Sequence, residues 1–499
     1  ADPLKYNIPF ERFLHRRRED PPDLDVDLCW RKRDRLIESI YRRYGRDRVA
    51  MVCTHNTFRL RSAFRDVARA RGMPQDQVDR VSRKLPHRSG GTVGRALASS
   101  GAARRSCCSD RQLNTIARLA EHIRGFPRHT GIHCGGLVIG DQPVEDYVPL
   151  ERASKGIVVT QFDKDAVEER GLIKMDFLGN HGLTIRDKAM QMADRELDPA
   201  GIPDEDPETV RLLEQAQTVS CCQLESPAMR NLLSMLRPGS VREVMQALAL
   251  VRPAPASGGM KDEFVRRTRG ETCVSVAHPL LENVLGETRG IMLYEDDAMR
   301  AAAALTGSSL EEGDLFRRAI SDSGSEEELR RVSRTFIRKA VQNGVPADTA
   351  SQVWARMAQF NQYSFCRAHA ASYAIMAYQL AYLKAHRPVA FMTAVLNHHW
   401  GMYPRRVHLE EARRMGVEVH GPDVNRSEER FCTDRGGLRV GLGQVKGLTD
   451  ATMEQVRVER RERGFASLPD FLCRTGASSA EAENLILAGA FDFTGLNRP

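Results

Sequence analysis

The sequence predicts a helix-rich α+β protein, and three observations carry that prediction. Short runs in which apolar residues alternate with polar ones, or stand together as Val and Ile, recur at residues 24–28, 136–139, 157–162 and 172–177. Such runs read as strands. Between the first two, apolar residues fall at helical spacing, and from about residue 182 onward the pattern is largely helical. The simplest arrangement is one sheet interrupted by a helical insert and followed by a mostly helical remainder.

Each element has its own justification. In Pro22-Asp23-Leu24-Asp25-Val26-Asp27-Leu28, alternation sends Leu24, Val26 and Leu28 toward a core and lines three carboxylates on the opposite side. From Arg31 to Tyr44, the residues Leu36, Ile37, Ile40, Tyr41 and Tyr44 make an apolar helical stripe that Gly45 ends. The stretch from Thr57 to Arg128 is arginine-rich and helical in spacing, with a break at Ser89-Gly90-Gly91. In the run from Leu172 to Phe177, Lys174 and Asp176 share one face while Ile173, Met175 and Phe177 share the other. Ser308 or Ser309 with Glu311 or Glu312 forms a capping box that opens a helix carrying Asp314, Arg317 and Arg318. An alanine-rich helix runs from Ala370 to about His386 and stops at Pro388.

Composition narrows the class. At 499 residues the chain holds about three or four domains. It has no apolar run of membrane-spanning length and no signal-like start, so a cytoplasmic location with no membrane partner is expected. The 11 cysteines include the vicinal pairs Cys107-Cys108 and Cys221-Cys222 but no C-x-x-C, which argues against a zinc ribbon or a disulfide framework. A net charge of +8 fits a polyanionic partner. Arg12, Arg16, Arg17 and Arg18 stand just before the acidic strand, and a site for metal and phosphate together needs both signs.

Like charges a few ångströms apart raise each other's pKa unless a cation sits between them, and Mg2+ takes carboxylate oxygens. Asp25 and Asp27 therefore read as metal ligands or as a solvated acidic face, and a bare D-x-D is usually the latter. Asp176 offers a third carboxylate, or else pairs with Lys174 on a solvent edge. The segment Asn361-Gln362-Tyr363-Ser364-Phe365-Cys366-Arg367-Ala368-His369 interleaves aromatics with a cation and an imidazole, as a base-stacking and phosphate-holding segment would, or as a core helix start would. His129, His133 and Cys134 lack zinc-ligand spacing and read as structural residues beside a tight glycine loop. Gly441-Leu442-Gly443-Gln444-Val445-Lys446-Gly447-Leu448 is either a phosphate-binding hairpin or a plain glycine turn.

Several stretches, in this order, share their wording with one family: Phe10-Glu11-Arg12-Phe13-Leu14, Pro22 to Asp27, Arg65-Asp66-Val67, His129-Thr130-Gly131-Ile132-His133 and Lys174-Met175-Asp176-Phe177-Leu178-Gly179. They continue through Gln223 to Ser226, Ala249 to Pro253, Ile291 to Tyr294, Asp314 to Ala319 and Lys384-Ala385-His386. In these the chain resembles the C-family bacterial DNA polymerases, the alpha subunits of DNA polymerase III and their error-prone relatives, over nearly its whole length.

The resemblance implies a palm similar to the polymerase-beta-like nucleotidyltransferase fold, in two parts at 1–56 and 128–181. It further implies a helical thumb at 57–127, helical fingers at 182–420 and a helix-hairpin-helix DNA-binding region at 421–499. Asp25, Asp27 and Asp176 fall on the family's catalytic carboxylates, which hold two Mg2+ ions. Arg12, Arg18, Lys174, Arg317, Arg318, Tyr363 and His369 match nucleotide-pocket positions, and Gly441, Gly443, Lys446 and Gly447 match the DNA-binding hairpin. The implied activity is template-directed addition of dNTPs to a primer 3'-hydroxyl, in replication, repair or damage tolerance. Implied partners are primer-template DNA, dNTPs, and a sliding clamp or other replication and repair proteins.

Departures from the pattern also count. The PHP domain, the Gly-Ser turn upstream of the palm and the C-terminal OB-fold lie outside these residues, so a fragment with an N-terminally truncated palm is expected. Tyr294-Glu295-Asp296-Asp297 replaces a Gln-Glu-Gln pattern, and the stretches 59–66 and 416–427 look closer to the error-prone branch. A catalytically impaired DNA-binding fragment is the alternative, and a metal-dependent nuclease a third.

Overall fold

The computed structural model describes residues 2–17, 24–86, 91–99, 109–193, 197–252, 259–322, 325–361, 365–398 and 401–498. Contacts divide the chain into two compact units, one of Asp23–Gly179 and one of Ala1–Pro22 with Asn180–Pro499.

The first unit is built on a six-stranded sheet in the order β1-β6-β3-β2-β5-β4. Its strands are β1 (Leu24–Cys29), β2 (Val49–Thr57), β3 (Pro127–Ile139), β4 (Leu150–Arg152), β5 (Val158–Thr160) and β6 (Lys174–Asn180). Helix α1 (Trp30–Tyr44) follows β1 directly. Its apolar stripe, Ile37, Ile40 and Tyr41, packs on Val49, Met51, Cys53, Leu137, Met175 and Phe177. The opposite face of the sheet gathers Ala50, Val52, Val138, Val144, Val148 and Leu172, with Val167 from helix α6 (Lys164–Glu169). Alternation along β6 therefore turns Met175 and Phe177 toward α1, and Lys174 and Asp176 away from it.

Between β2 and β3 stand α2 (Leu60–Ala70), α3 (Gln75–Lys84), α4 (Val93–Ser99) and α5 (Asp110–Ile123). They close over a core of their own that includes Phe64, Val78, Leu85, Leu97 and Ile116. Because β2 and β3 pair antiparallel from Val49↔Ile139 to Thr57↔Pro127, the four helices leave and re-enter the sheet at one end.

Two expectations fail in this unit. Leu24 and Val26 are 47% and 40% exposed and Leu28 only half-buried, so they do not enter a core. The reason is position: β1 is an edge strand, and α1 spends its apolar stripe on β2, β3 and β6. His129, His133 and Cys134 lie in the long strand β3 and not beside a tight loop. Its glycines are there for close approach: a Cβ on Gly135 would stand 2.7 Å from Leu178 of the neighbouring strand.

The second unit is mostly helical. Its largest core joins α7 (His181–Ala193) to the helix Arg367–His386, and a Cβ on Gly182 would meet the Met376 sulfur at 2.8 Å. Pro388 both follows that helix and opens the next, Pro388–Asn397, as a residue with fixed φ and no N–H suits a first turn. A second core stacks Phe316, Phe336 and Trp354, with ring centroids 5.2 to 6.4 Å apart. The third, in the C-terminal stretch, holds Leu442, Val456, Phe465, Phe471 and Phe491. It is preceded by a small sheet of β7 (Val419–His420), β9 (Gly437–Arg439) and β8 (Cys432–Asp434), which the sequence pattern did not announce. Residues 2–17 belong to this unit: Tyr6 is in its main core, and Arg367 donates from Nε to the Tyr6 carbonyl at 2.9 Å. Among the described residues no helix is long and apolar enough to cross a membrane.

Candidate active site

In the first unit, β1 lies beside β6, so the strand of Asp25 and Asp27 neighbours the strand of Asp176. Asp25 is exposed and Asp27 half-buried. Asp176 has its side chain 14% exposed, and its Oδ2 accepts from Lys174 Nζ at 2.7 Å. Asp176 Oδ1 is buried with no hydrogen-bond partner among the described residues. His133 Nδ1 stands 3.4 Å from that oxygen. That nitrogen, however, accepts the backbone N–H of Gly136 at 2.6 Å and faces that of Gly135 at 3.3 Å. The hydrogen-bond network thus puts the imidazole proton on Nε2, and Nδ1 has no proton for Asp176.

An orphaned carboxylate oxygen, on a strand next to one that carries two further carboxylates, is the donor chemistry of a hard divalent cation. The three do not form a closed cage: among the described residues no group of three or more His, Cys, Asp or Glu side chains is arranged to hold a metal. Mg2+ is ordinarily held by one or two carboxylates, with substrate phosphates and water completing the octahedron. The residues present fit it in that way.

The second unit holds a separate cluster of cations, each matched to acids. Arg12, in a short 3-10 turn Phe10–Arg12, pairs with Glu295. Arg317, on the helix Leu310–Asp322, donates from Nε to Asp314 at 2.8 Å and lies 3.6 Å from Glu295. His15 Nε2 is 3.5 Å from the other oxygen of Asp314, and both side chains are buried. Ser309 Oγ accepts the Glu312 N–H at 3.4 Å, the serine half of the capping box that the spacing predicts. Arg318, the next residue, is half-buried. Nearby, buried Arg367 meets Glu287 at 2.6 Å, Asp297 at 3.8 Å and the Tyr294 ring at 5.0 Å. Asp297 Oδ2 accepts the N–H groups of Leu293 and Tyr294. Burial nevertheless pushes its carboxyl up to about 7, and burial raises Asp296 as well.

His369 is exposed and forms the middle of an aromatic row. Its ring lies 5.2 Å from Phe365 and 4.2 Å from Tyr373, and the Arg252 guanidinium covers Phe365 at 4.2 Å. Arg18 and Tyr363 lie outside the described residues.

Comparison with known proteins decides the family. Residues 1–179 match the model of the bacterial DNA polymerase III alpha NTPase domain, and residues 182–344 match that of the DNA polymerase III alpha subunit finger domain. Residues 416–499 match a helix-hairpin-helix motif. The chain belongs to the C-family bacterial DNA polymerases. Among its C-family relatives, the DNA polymerase III subunit alpha of Pseudomonas aeruginosa is 38% identical over 514 residues, 99% of this chain and 44% of that protein. The Escherichia coli K12 subunit is 35% identical over 518 residues. An error-prone DNA polymerase of Symbiobacterium thermophilum is 34% identical over 525 residues, 100% of this chain and 48% of that protein. The chain thus spans less than half the length of these relatives.

Within the C-family match, the helix-hairpin-helix region shows what its glycines do. The N–H groups of Leu442 and Gly443 donate to the carbonyls of Glu428 and Glu429 at 2.8 and 2.9 Å. A Cβ on Gly441 would stand 2.5 Å from the carbonyl oxygens of Glu429 and Arg430. Gly441 and Gly443 therefore permit backbone-to-backbone packing inside the protein. Gly447 has φ +81° and turns the chain into the helix Asp450–Glu462, with Lys446 exposed just before it.

Sequence reasoning missed the acids that hold the cations: Glu295 and Asp314, with His15. Asp314 was detectable, since it precedes Arg317 by one helical turn. It also passed over Arg33 and set His133 aside, and nothing local marks Arg33, whose partners are backbone carbonyls on two other elements.

Proposed function

We propose that this chain carries the polymerising part of a template-directed DNA polymerase, adding dNTPs to a primer 3'-hydroxyl. The observation that carries the reading is the juxtaposition of β1 and β6, which brings Asp25 and Asp27 to the strand of Asp176 across a long stretch of sequence. Asp25, Asp27 and Asp176 would hold two Mg2+ ions. Bound there, Mg2+ supplies Lewis acidity at the reacting phosphate and lowers the pKa of the attacking hydroxyl. Lys174 holds Asp176 Oδ2, leaving Oδ1 for a ligand.

Arg12, Arg18, Arg317, Arg318, Tyr363 and His369 are assigned to the incoming nucleotide, the arginines for its phosphates and the aromatic row for a base. The arginine-rich helices α2 to α5 are assigned as the thumb of a palm at 1–56 and 128–181, with fingers at 182–420. Lys446 and Gly447, with the tight glycine packing of Gly441 and Gly443, are assigned to phosphate contacts in the hairpin region at 421–499. Expected partners are primer-template DNA, dNTPs and a sliding clamp. The error-prone relative supports a role in damage-tolerant synthesis. A second reading, a primer-template-binding fragment without catalysis, is favoured by the absence of a preformed three-carboxylate group among the described residues.

Primer extension with the parent chain and Asp25→Ala, Asp27→Ala and Asp176→Asn decides between them. Extension by the parent and a loss of at least about a thousandfold in each variant is expected, since removal of a group acting only in the transition state costs several kcal/mol. Duplex retention with no product from any of the four supports the binding fragment, and a shortened primer supports a nuclease.

A further inference from the structure

We propose that Arg33 is a positioning residue for Asp176, a role that rests on the polymerase reading and deepens it. The registered pairing of β3 with β6 runs Val138↔Lys174, Leu137↔Met175, Gly136↔Asp176 and ends there. Asp176 thus sits on the last rung of the ladder. Beyond that rung a side chain takes over. Arg33 donates from Nε to the Phe177 carbonyl at 2.6 Å and from Nη2 to the Cys134 carbonyl at 2.6 Å. One planar guanidinium therefore ties β6 to β3 at the residue after Asp176 and the residue after His133.

The clamp is itself enclosed. Arg33 is 19% exposed, and α1 crosses the end of β6 so closely that a Cβ on Gly179 would stand 2.9 Å from Trp30 Cδ1 and 3.5 Å from Arg33 Cδ. The geometry has a direct chemical consequence. Asp176 Oδ2 is held by Lys174 and Oδ1 has no donor among the described residues, so hydrogen bonds between these residues set the carboxylate's position from one oxygen only. The backbone must supply the rest, from the Gly136 rung on one side and Arg33 on the other. Because Arg33 also lies in the first turn of the helix that follows Asp25 and Asp27 without a loop, the same residue couples the two carboxylate strands. A lysine cannot reproduce a rigid fork aimed at two carbonyls.

The test uses Mn2+ as the probe, bound to the full chain and followed by electron paramagnetic resonance, in the parent, Asp176→Asn, Arg33→Lys and Arg33→Ala. Thermal melts and hydrogen exchange are recorded alongside. Asp176→Asn should abolish binding. Arg33→Lys should weaken it about tenfold, the usual scale for a group that orients a metal ligand, with faster exchange confined to the amides around Phe177 and an unchanged melting temperature. Binding in Arg33→Lys and Arg33→Ala within twofold of a parent that does bind would overturn the proposal and leave the metal reading standing. A parent no better than Asp176→Asn would remove both. Where Arg33→Ala fails to fold, Arg33→Lys alone decides.

Discussion

Glu295 stands where the family pattern has a glutamine, and it is the partner of both Arg12 and Arg317. Two arginines assigned to phosphates are therefore already paired with acids of the same unit, Arg12 with Glu295 and Arg317 with Glu295 and Asp314. Glu295→Gln should release Arg12, leave Arg317 to Asp314 alone, and lower the KM for dNTP several-fold with little change in kcat, measured by steady-state extension. Asp297 makes a second prediction, with a definite sign. Its carboxyl titrates at about 7 in the folded chain, against 3.8 ordinarily, because burial disfavours the charged form. The folded state thus holds the proton more tightly than the unfolded one. The contribution of Asp297 to stability is therefore most favourable below pH 4 and falls as pH rises toward 7. Asp297→Asn, which keeps an acceptor for the Leu293 and Tyr294 N–H groups, should flatten that decline and raise the melting temperature at pH 8.

At the scale of elements, the C-terminal region separates packing from binding. Gly441→Ala would push a methyl group into the carbonyls of Glu429 and Arg430, which cannot yield, and should cost about 1–3 kcal/mol or more, seen in chemical denaturation of this region. Lys446→Ala should leave stability alone and reduce by about one the slope of log DNA affinity against log salt. Glu481 ties the same region together. It accepts from Thr449, Thr452 and Ser478, and these hydrogen bonds, Thr452 foremost, hold its carboxyl down to about 2. A depressed carboxyl stabilises above its ordinary value, 4.5, and that contribution is lost as pH falls toward 2. Glu481→Gln should therefore lower the melting temperature most at neutral pH and least near pH 2.

Much at this scale was readable in advance. Helix α1, the insert between β2 and β3, β6 with its two-faced alternation, the Ser309 cap and the Pro388 boundary all follow from periodicity and capping, which act over a few residues. Exposure of Leu24 and Val26 did not follow, because alternation says which residues share a face and not whether anything covers it. The small β7-β9-β8 sheet escaped notice for a related reason: strands of two or three residues are too short to show a period.

Across the whole molecule, each of the two units has cores of its own, and a net charge of +8 predicts strongly salt-dependent DNA binding. Raising salt from 50 to 200 mM should weaken primer-template affinity by about a hundredfold or more, as fluorescence anisotropy would show. The order of amino acids by itself determined the residue chemistry and the family: acids at 25, 27 and 176, the motif order and the helix and strand periods are local properties that need no fold to be read. Only the tertiary structure decided that β1 adjoins β6, that Glu295 occupies Arg12 and Arg317, and that Arg33 closes the last rung beside Asp176. Those contacts join residues far apart along the chain, and what brings them together is the burial of apolar faces elsewhere, which no single segment encodes.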